Sequence, residues 1–318
     1  MNTSAFNITG KRKVWYALSI LLILPGIVSL FVWHLNVGID FKGGTMQQIT
    51  FANTRPAIDQ LRSEVDKLSL RGSTVQETGD KGVIIRFANQ DGLDPHTTAN
   101  NISAAFGKLS PLNTDPKLNS FQNIGGSVAQ DTTRNAITAV LLTCVAIILF
   151  IAFSFRSVPK PANSWRFAVT TILALAHDLL FVVGAYSIIG HFFPSIEVDS
   201  LFITALLTIL GFSVNDTIVV FDRIRENLRR TKQNVDFEEI TNASLNQTLA
   251  RSINTSMTVL IVLVALLLLG GESIRNFILA LTLGVAIGTY SSIFNASPLL
   301  VTWQKWADSR APQQAKRR

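Results

Sequence analysis

Six blocks of nearly unbroken apolar residues divide the chain, at about 14–33, 135–155, 167–190, 199–221, 252–270 and 277–301. Each is close to the roughly 20 residues with which an α-helix crosses the hydrocarbon of a bilayer. The third and fourth blocks carry Asp residues, yet their length and apolar content still predict spans. Trp15 and Trp33 bracket the first block, Trp165 precedes the third, and Trp303 and Trp306 follow the sixth. Tryptophan prefers those interfacial depths.

Between the first two blocks, over 36–130, the pattern changes to short periodic elements. Residues 45–51 alternate loosely and predict a strand. Ile58, Leu61, Val65 and Leu68 recur at helical spacing behind Pro56 and predict a helix over 56–69. Strands are predicted at 73–78 and 82–88 around a Gly79–Gly82 turn. A second helix follows at 95–109, opened by Asp94 and Pro95, and a last strand at 118–124. The order β-α-β-β-α-β predicts a small ferredoxin-like domain. Residues 222–250 form a second polar stretch. Its first part extends the fourth helix, and the run from Asp236 reads as a further helix along the membrane surface.

Composition supports this division. The 318 residues are 48% hydrophobic and only 15% charged, against about 25% charged in soluble domains. A soluble enzyme is excluded as the default reading. The net charge of +7 does not indicate nucleic-acid binding, because the basic residues sit in short segments between apolar blocks. Lys11–Lys13, Arg156, Lys160, Arg166, the group from Arg223 to Lys232, Arg251, and Lys305 through Arg318 all fall on one side if both termini are cytoplasmic. The Lys/Arg bias therefore predicts that orientation, with 36–130 outside. The first block is long for a signal-peptide core and no small-residue cleavage site stands out, so it reads as a retained span. The lone Cys144 excludes an internal disulfide framework. His34, His96, His177 and His191 show no zinc spacing, so neither metal nor cofactor is expected.

The chemistry-bearing residues are those placed where lipid should be. An Asp in hydrocarbon is costly and usually faces the bundle interior. Asp178 falls near the midplane of the third span, beside His177. Asp216 lies in the inner half of the fourth, beside Asn215. Thr204, Thr208, Gly211 and Asn215 share one helical face, which Asp216 borders. The fifth span opens with Arg251, Asn254, Thr255 and Thr258, at a depth from which Arg251 is expected to reach Asp216. Burial favours the neutral form of a carboxyl and a guanidinium favours the charged form, so a site balanced between them can load and release protons. Two readings stand for Asp178, helix glue or proton path. His177 is less implicated, since adjacent helical residues point about 100° apart.

Two glycine patterns read as structural. Gly38, Gly43 and Gly44, with Asp40 among them, follow the first span and predict an unusual turn or hinge. Ala280, Gly284, Gly288 and Ser292 form a small-residue stripe for close helix packing. The chain carries no GxxxxGK[ST], GxSxG or HExxH motif, so neither its own ATPase nor a hydrolase is expected.

Taken together, GIDFKGG after the first span, AHDLL in the third, GFSVNDTIVVFDRIREN ending the fourth and ARSINTSMTVL opening the fifth resemble the motifs of the SecF family of the bacterial Sec protein-export machinery. The resemblance covers nearly the whole chain. It implies pairing with SecD to form twelve spans of pseudo-twofold symmetry, similar to resistance-nodulation-division exporters. It further implies association with the SecYEG channel and YajC, and use of the proton motive force to assist export of a translocating polypeptide across the inner membrane. The family's proton-pathway Asp falls on Asp216, its functional Arg on Arg251, and a further member on Thr255. The family's main midplane carboxylate belongs to SecD and is absent here.

The expected fold is a polytopic α-helical membrane protein with six transmembrane helices and a small extracytoplasmic α+β domain between the first two. Its expected parts are an N-terminus and first helix at 1–35, the outer domain at 36–130, a five-helix bundle at 131–303 containing the cytoplasmic segment 222–250, and a basic tail at 304–318. The leading reading is a proton-coupled export subunit. The alternatives are a scaffold that only holds SecD, or a small-molecule or lipid exporter of the related superfamily. The last usually has a second large outer domain and twelve spans in one chain.

Overall fold

The computed structural model describes residues 6–90, 92–116, 118–159, 162–231, 235–271 and 274–310. Lys160, Lys232 and residues 311–318 of the basic tail lie outside the described residues. The chain divides into two compact units, one of residues 1–34, 138–188 and 201–318, the other of 35–137 and 189–200.

The first unit is a helical bundle. Among the described residues, six helices are long and apolar enough to cross a membrane. They are α1 (Arg12–Val32), α5 (Gly126–Ser154), α6 (Ser164–Phe192), α7 (Ser200–Arg230), α8 (Phe237–Leu269) and a composite sixth, in which α9 (Arg275–Ser291) passes through a π-helical segment (Ser292–Ala296) into α10 (Ser297–Arg310).

The outer surface of the bundle is apolar, unlike that of a water-soluble protein, and its interior mixes apolar with small and hydroxylated residues. The buried residues of α1 are Ser19, Gly26 and Ser29, whereas Phe31 is 80% exposed and Leu269 of α8 is 88% exposed. Small and hydroxylated residues let membrane helices approach, while large apolar ones face lipid. The chain is thus a multi-pass membrane protein. The central helix is α7, which buries Phe202, Ile209, Asp216 and Phe221 along one side. At one end of the bundle Phe155, Phe167 and Phe221 form an aromatic knot, with centroids 5.1 Å apart for the first two and 4.9 Å for the last two.

The surface helix expected after Asp236 is not separate. Phe237 to Leu269 is one continuous helix. No Gly or Pro interrupts it, and Phe237, Ile240, Ser244, Leu245 and Thr248 are buried along its first turns. The N-terminal turn fastens it: Asn242 Oδ1 accepts from Ile8 N at 2.9 Å, Asn246 Oδ1 from Phe6 N at 3.0 Å, and Glu238 pairs with Arg12 at 2.6 Å.

The second unit is the α+β fold. Its strands are β1 (Gly44–Thr50), β2 (Thr74–Thr78), β3 (Gly82–Phe87) and β4 (Ser120–Ile124), with α3 (Ile58–Asp66) and α4 (Pro95–Leu109) between them and a one-turn α2 (Ile39–Lys42) before β1. The sheet order is β2-β3-β1-β4, antiparallel throughout, the ferredoxin-like arrangement. Phe51, Leu61, Val83, Ile85, Ile102 and Phe106 fill its core with no measurable exposure. Gln47 of β1 donates through Nε2 to Ala99 O at 3.1 Å and to Ser103 Oγ at 2.8 Å, which seats α4 on the sheet.

The connection 189–200 belongs to this unit. Gly38 N donates to Val198 O at 2.9 Å, and Val198 N to Asn36 O at 2.8 Å. Arg86 of β3 pairs with Glu197 at 3.0 Å.

Candidate functional site

Two buried carboxylates sit in the membrane bundle, and neighbouring serines hold both. Asp178 of α6 is fully buried. Its Oδ2 accepts from Ser213 Oγ of α7 at 2.6 Å and from Ser291 Oγ of α9 at 2.7 Å. Its Oδ1 lies 3.0 Å from His177 Nδ1. Three polar groups, two of them hydroxyl donors, thus meet this one carboxyl group. Asp216 of α7 is also buried, and its Oδ2 accepts from Ser292 Oγ at the start of the π-helical segment.

Ser291 and Ser292 are consecutive, so one stretch of backbone carries the hydroxyls of both sites. Each hydroxyl has a second acceptor on its own helix. Gly288 O lies 3.4 Å from Ser291 Oγ, and Thr289 O lies 3.0 Å from Ser292 Oγ.

His177 does meet Asp178, although neighbouring helical residues diverge, since its Nδ1 lies within hydrogen-bond distance of the carboxylate. Its Nε2 is buried without a hydrogen-bond partner among the described residues. The ring stacks on Tyr290, centroids 6.1 Å apart. It also lines a groove of about 380 Å³ beside α1, with Tyr16, Ser19, Ile23, Asn295 and Leu299 among the walls.

The structure does not bring Arg251 onto Asp216. Arg251 is exposed on α8, and among the described residues the carboxylate of Asp216 is held by Ser292 instead. Thr255 and Asn254 are exposed on the same side of α8, and Thr258 Oγ1 donates to Thr255 O at 2.7 Å. Thr204, Thr208, Gly211 and Asn215 are likewise exposed on α7. Asp216 and Asn215 are therefore neighbours in sequence with opposite surroundings, one inside the bundle and one outside it.

The glycine stripe of α9 lies against α7. A Cβ on Gly284 would stand 2.2 Å from Ile209 Cδ1, and one on Gly288 3.2 Å from Ser213 Cβ. In the α+β unit, Asp40 Oδ2 accepts from Ser200 N, the first residue of α7, at 2.8 Å. Gly43 and Gly44 adopt φ of 72° and 135°, and a Cβ on Gly44 would lie 2.9 Å from Phe87 O. Side chains rarely adopt such φ, so this turn demands glycine. Among the described residues no group of three or more His, Cys, Asp or Glu is placed to hold a metal ion.

Sequence reasoning missed Ser213 and Ser291 and read Ser292 only as a packing residue. The one available signal was position, since Ser213 lies three residues before Asp216 and Ser291–Ser292 ends the small-residue stripe.

Comparison with known proteins places this geometry in a family. Residues 106–306 match the family described as protein export membrane protein SecD/SecF, C-terminal. The protein translocase subunit SecF of Thermobaculum terrenum is 43% identical over 305 residues, covering 92% of each chain. The subunit SecDF of Bacillus subtilis is 34% identical over 303 residues, which cover 94% of this chain and 38% of that one. The crystal structure of SecDF from Thermus thermophilus, described as a translocon-associated membrane protein, superposes with a TM-score of 0.80 at 32% identity, covering 95% of this chain and 39% of that chain. The chain belongs to the SecF family of protein-export membrane proteins.

Proposed function

We propose that this chain acts with SecD as a subunit of the Sec protein translocase and uses the proton motive force to assist polypeptide export across the inner membrane. One observation carries the reading: Thr204, Thr208, Gly211 and Asn215 on one face of α7, and Arg251, Asn254 and Thr255 on one face of α8, are exposed on helices long and apolar enough to cross a membrane. Polar groups at membrane depth face protein or a water-filled cavity rather than lipid. A second membrane component therefore covers these faces. The SecDF relatives contain this segment within a chain more than twice as long, and SecD is the component that would supply the remainder. SecYEG, YajC and the translocating polypeptide are the further partners in this reading.

Asp216 is the proton-carrying group, with Asn215, Arg251 and Thr255 on its partner-facing side and Asp178 within the bundle. Arg251 is exposed and makes no ion pair among the described residues, which leaves it available to the interface. Protonation of Asp216 alters the packing of α7. The covalent route onward runs through α7 to Ser200, which Asp40 holds in the 38–44 turn. The excess of Lys and Arg at 11–13, 156–166, 223–251 and 305–318 supports cytoplasmic termini and an extracytoplasmic α+β unit.

The test is proton-gradient-dependent export of a secretory protein by membrane vesicles carrying wild type or Asp216→Asn, with SecD level checked in both. Loss of the gradient-dependent part at equal SecD is expected. Unchanged export would leave the scaffold reading, in which substitution within the Gly284–Gly288 stripe matters more than Asp216.

A further inference from the structure

The two carboxylates are held from one point on the sixth span, and that point is not ordinary α-helix. Ser291 closes α9 and donates to Asp178; Ser292 opens the π-helical segment and donates to Asp216. π-Helical turns inside α-helices are rare and concentrate at functional sites. A hydroxyl has a single proton to donate. When an Asp is ionised, its serine donates to it. When the Asp takes up a proton, the demand for that donor falls and the serine can turn to its own helix, Ser291 to Gly288 O and Ser292 to Thr289 O. Each serine hydroxyl thus has two acceptors within reach, one of them a carboxylate whose charge sets the choice.

We propose that Ser291 and Ser292 are positioning residues that couple two proton-holding sites, Asp178–His177 and Asp216, through the π-helical segment between α9 and α10. The inference rests on the reading of Asp216 as a proton carrier and adds the second site and the link. Protonation at one site releases its serine, and the shared backbone turn then changes the donor geometry at the other. His177 is the member of the first site that lines the groove; its Nδ1 meets Asp178, and its buried Nε2 has no hydrogen-bond partner among the described residues. Among the described residues, the titratable groups facing this site are Tyr290 from α9, against the His177 ring, and Tyr16 from α1, in the shared groove. Asp216 of α7 faces the segment from the other serine. The segment also has a built-in reporter: Phe294 packs on Trp15 of α1, centroids 4.4 Å apart.

The experiment uses the full chain assembled with SecD in lipid vesicles. Infrared difference spectra follow the carbonyl stretch of each protonated carboxyl against pH, with bands assigned by Asp178→Asn and Asp216→Asn. In the wild type, Asp178→Asn moves the Asp216 midpoint by about half a pH unit or more, roughly threefold in proton affinity. In a Ser291→Ala, Ser292→Ala background that shift disappears. A chain keeping Trp15 with Trp33, Trp165, Trp303 and Trp306 changed to Phe shows an emission change at the same midpoints. This arm needs no serine variant to fold. The proposal is overturned if the Asp216 midpoint ignores Asp178, if its dependence survives loss of both serines, if Asp178 has no titrating band, or if Trp15 emission stays flat while the bands titrate. Export by Asp216→Asn separates the two levels. Normal export sinks the proton-coupled function whatever the spectra show; lost export with uncoupled spectra sinks only the link.

Discussion

Gly26 of α1 and Gly184 of α6 meet backbone to backbone: a Cβ on Gly26 would stand 2.8 Å from Gly184 Cα, and one on Gly184 2.6 Å from Gly26 Cα. Side-chain hydroxyls lock the crossing on one side, with Ser29 Oγ 2.7 Å from Ser187 Oγ, which in turn donates to His34 O at 2.6 Å. The obstacle is backbone, so nothing flexible can yield. Gly184→Ala is expected to destabilise the bundle by about 1–3 kcal/mol, the usual range for overpacking. The check is the temperature at which the detergent-solubilised chain loses its monodisperse peak. An unchanged temperature would mean that α1 and α6 separate freely.

Asp178 gives a sharper contrast between shape and hydrogen bonding. Asp178→Asn keeps an acceptor oxygen for Ser213 and Ser291 and is expected to leave the chain folded. Asp178→Leu removes the acceptor for Ser213 and for His177 and leaves Ser291 only the longer bond to Gly288 O at 3.4 Å. Leaving buried donors unmade costs about 1–3 kcal/mol apiece, so the Leu variant is expected to fall in yield and thermal stability well below the Asn variant. Equal stability of the two would show that the network does not hold the helices.

Much of this architecture was legible in the sequence because it rests on periodicity. Six apolar blocks became six spans, and the strands and helices of the α+β unit lie within a few residues of their predicted bounds. Helix ends were less legible. The sequence predicts the extension of the fourth helix through 221–230, and α7 does run to Arg230, but α8 begins as early as Phe237 and runs unbroken into the fifth span, because hydropathy falls where lipid ends while the helix continues without a breaker. The membership of 189–200 in the α+β unit depends on Gly38–Val198 and Arg86–Glu197, contacts between residues more than 100 positions apart. Asp178 and Asp216 stood out because a carboxylate in an apolar block is costly. Their serines did not, because a serine in a membrane helix usually returns its hydroxyl to its own backbone, as Ser244 does to Ile240 O at 2.7 Å.

Asp40 acts as an N-terminal cap supplied from elsewhere in the chain. The first backbone N–H groups of a helix lack partners, and Asp40 Oδ2 accepts one from Ser200 at 2.8 Å. Asp40→Ala is expected to cost about 0.5–2 kcal/mol at this helix end, as capping losses do. Amide exchange should accelerate at 200–203 in the full chain and remain unchanged in the middle of α7. Uniform acceleration along the helix would argue against a local cap.

The Arg86–Glu197 pair predicts a pH dependence with a definite sign. Burial pushes the Glu197 carboxyl above its ordinary value of 4.5, with Asp199 and Asp40 adding to the rise and Arg86 and Lys42 opposing it. Burial pushes the Arg86 guanidinium down, with Glu197 opposing. A carboxyl raised in the folded state stabilises the fold below its unfolded value, and that contribution is lost as pH rises through the folded value. Arg86→Met removes the opposing charge and raises Glu197 further. At neutral pH the variant leaves a buried carboxylate without its cation, a loss of about 3–5 kcal/mol for a broken buried pair. On acidification Glu197 takes up a proton and the loss shrinks. Exchange protection of the β3 amides in Arg86→Met should therefore recover towards wild type as pH falls. Protection that worsened in parallel with wild type would show that Glu197 stays ionised.

Gly211 and Gly284 separate packing within the chain from packing against a partner. A Cβ on Gly284 of α9 would collide with Ile209 of α7 at 2.2 Å, and Ile209 is itself buried. Gly284→Leu is expected to unfold the isolated chain. A Cβ on Gly211 meets nothing within 4 Å, and the residue is exposed on α7 between Thr208 and Asn215. Gly211→Leu in the isolated chain is expected to be neutral or stabilising, since replacing a helical glycine gains up to about 1 kcal/mol. If the stripe is the SecD-facing surface, the same bulky side chain displaces the partner helix. Gly211→Leu should then purify as a folded chain with most of its SecD lost. Full retention of SecD would place the partner on another face and remove the main support for the proposed pairing.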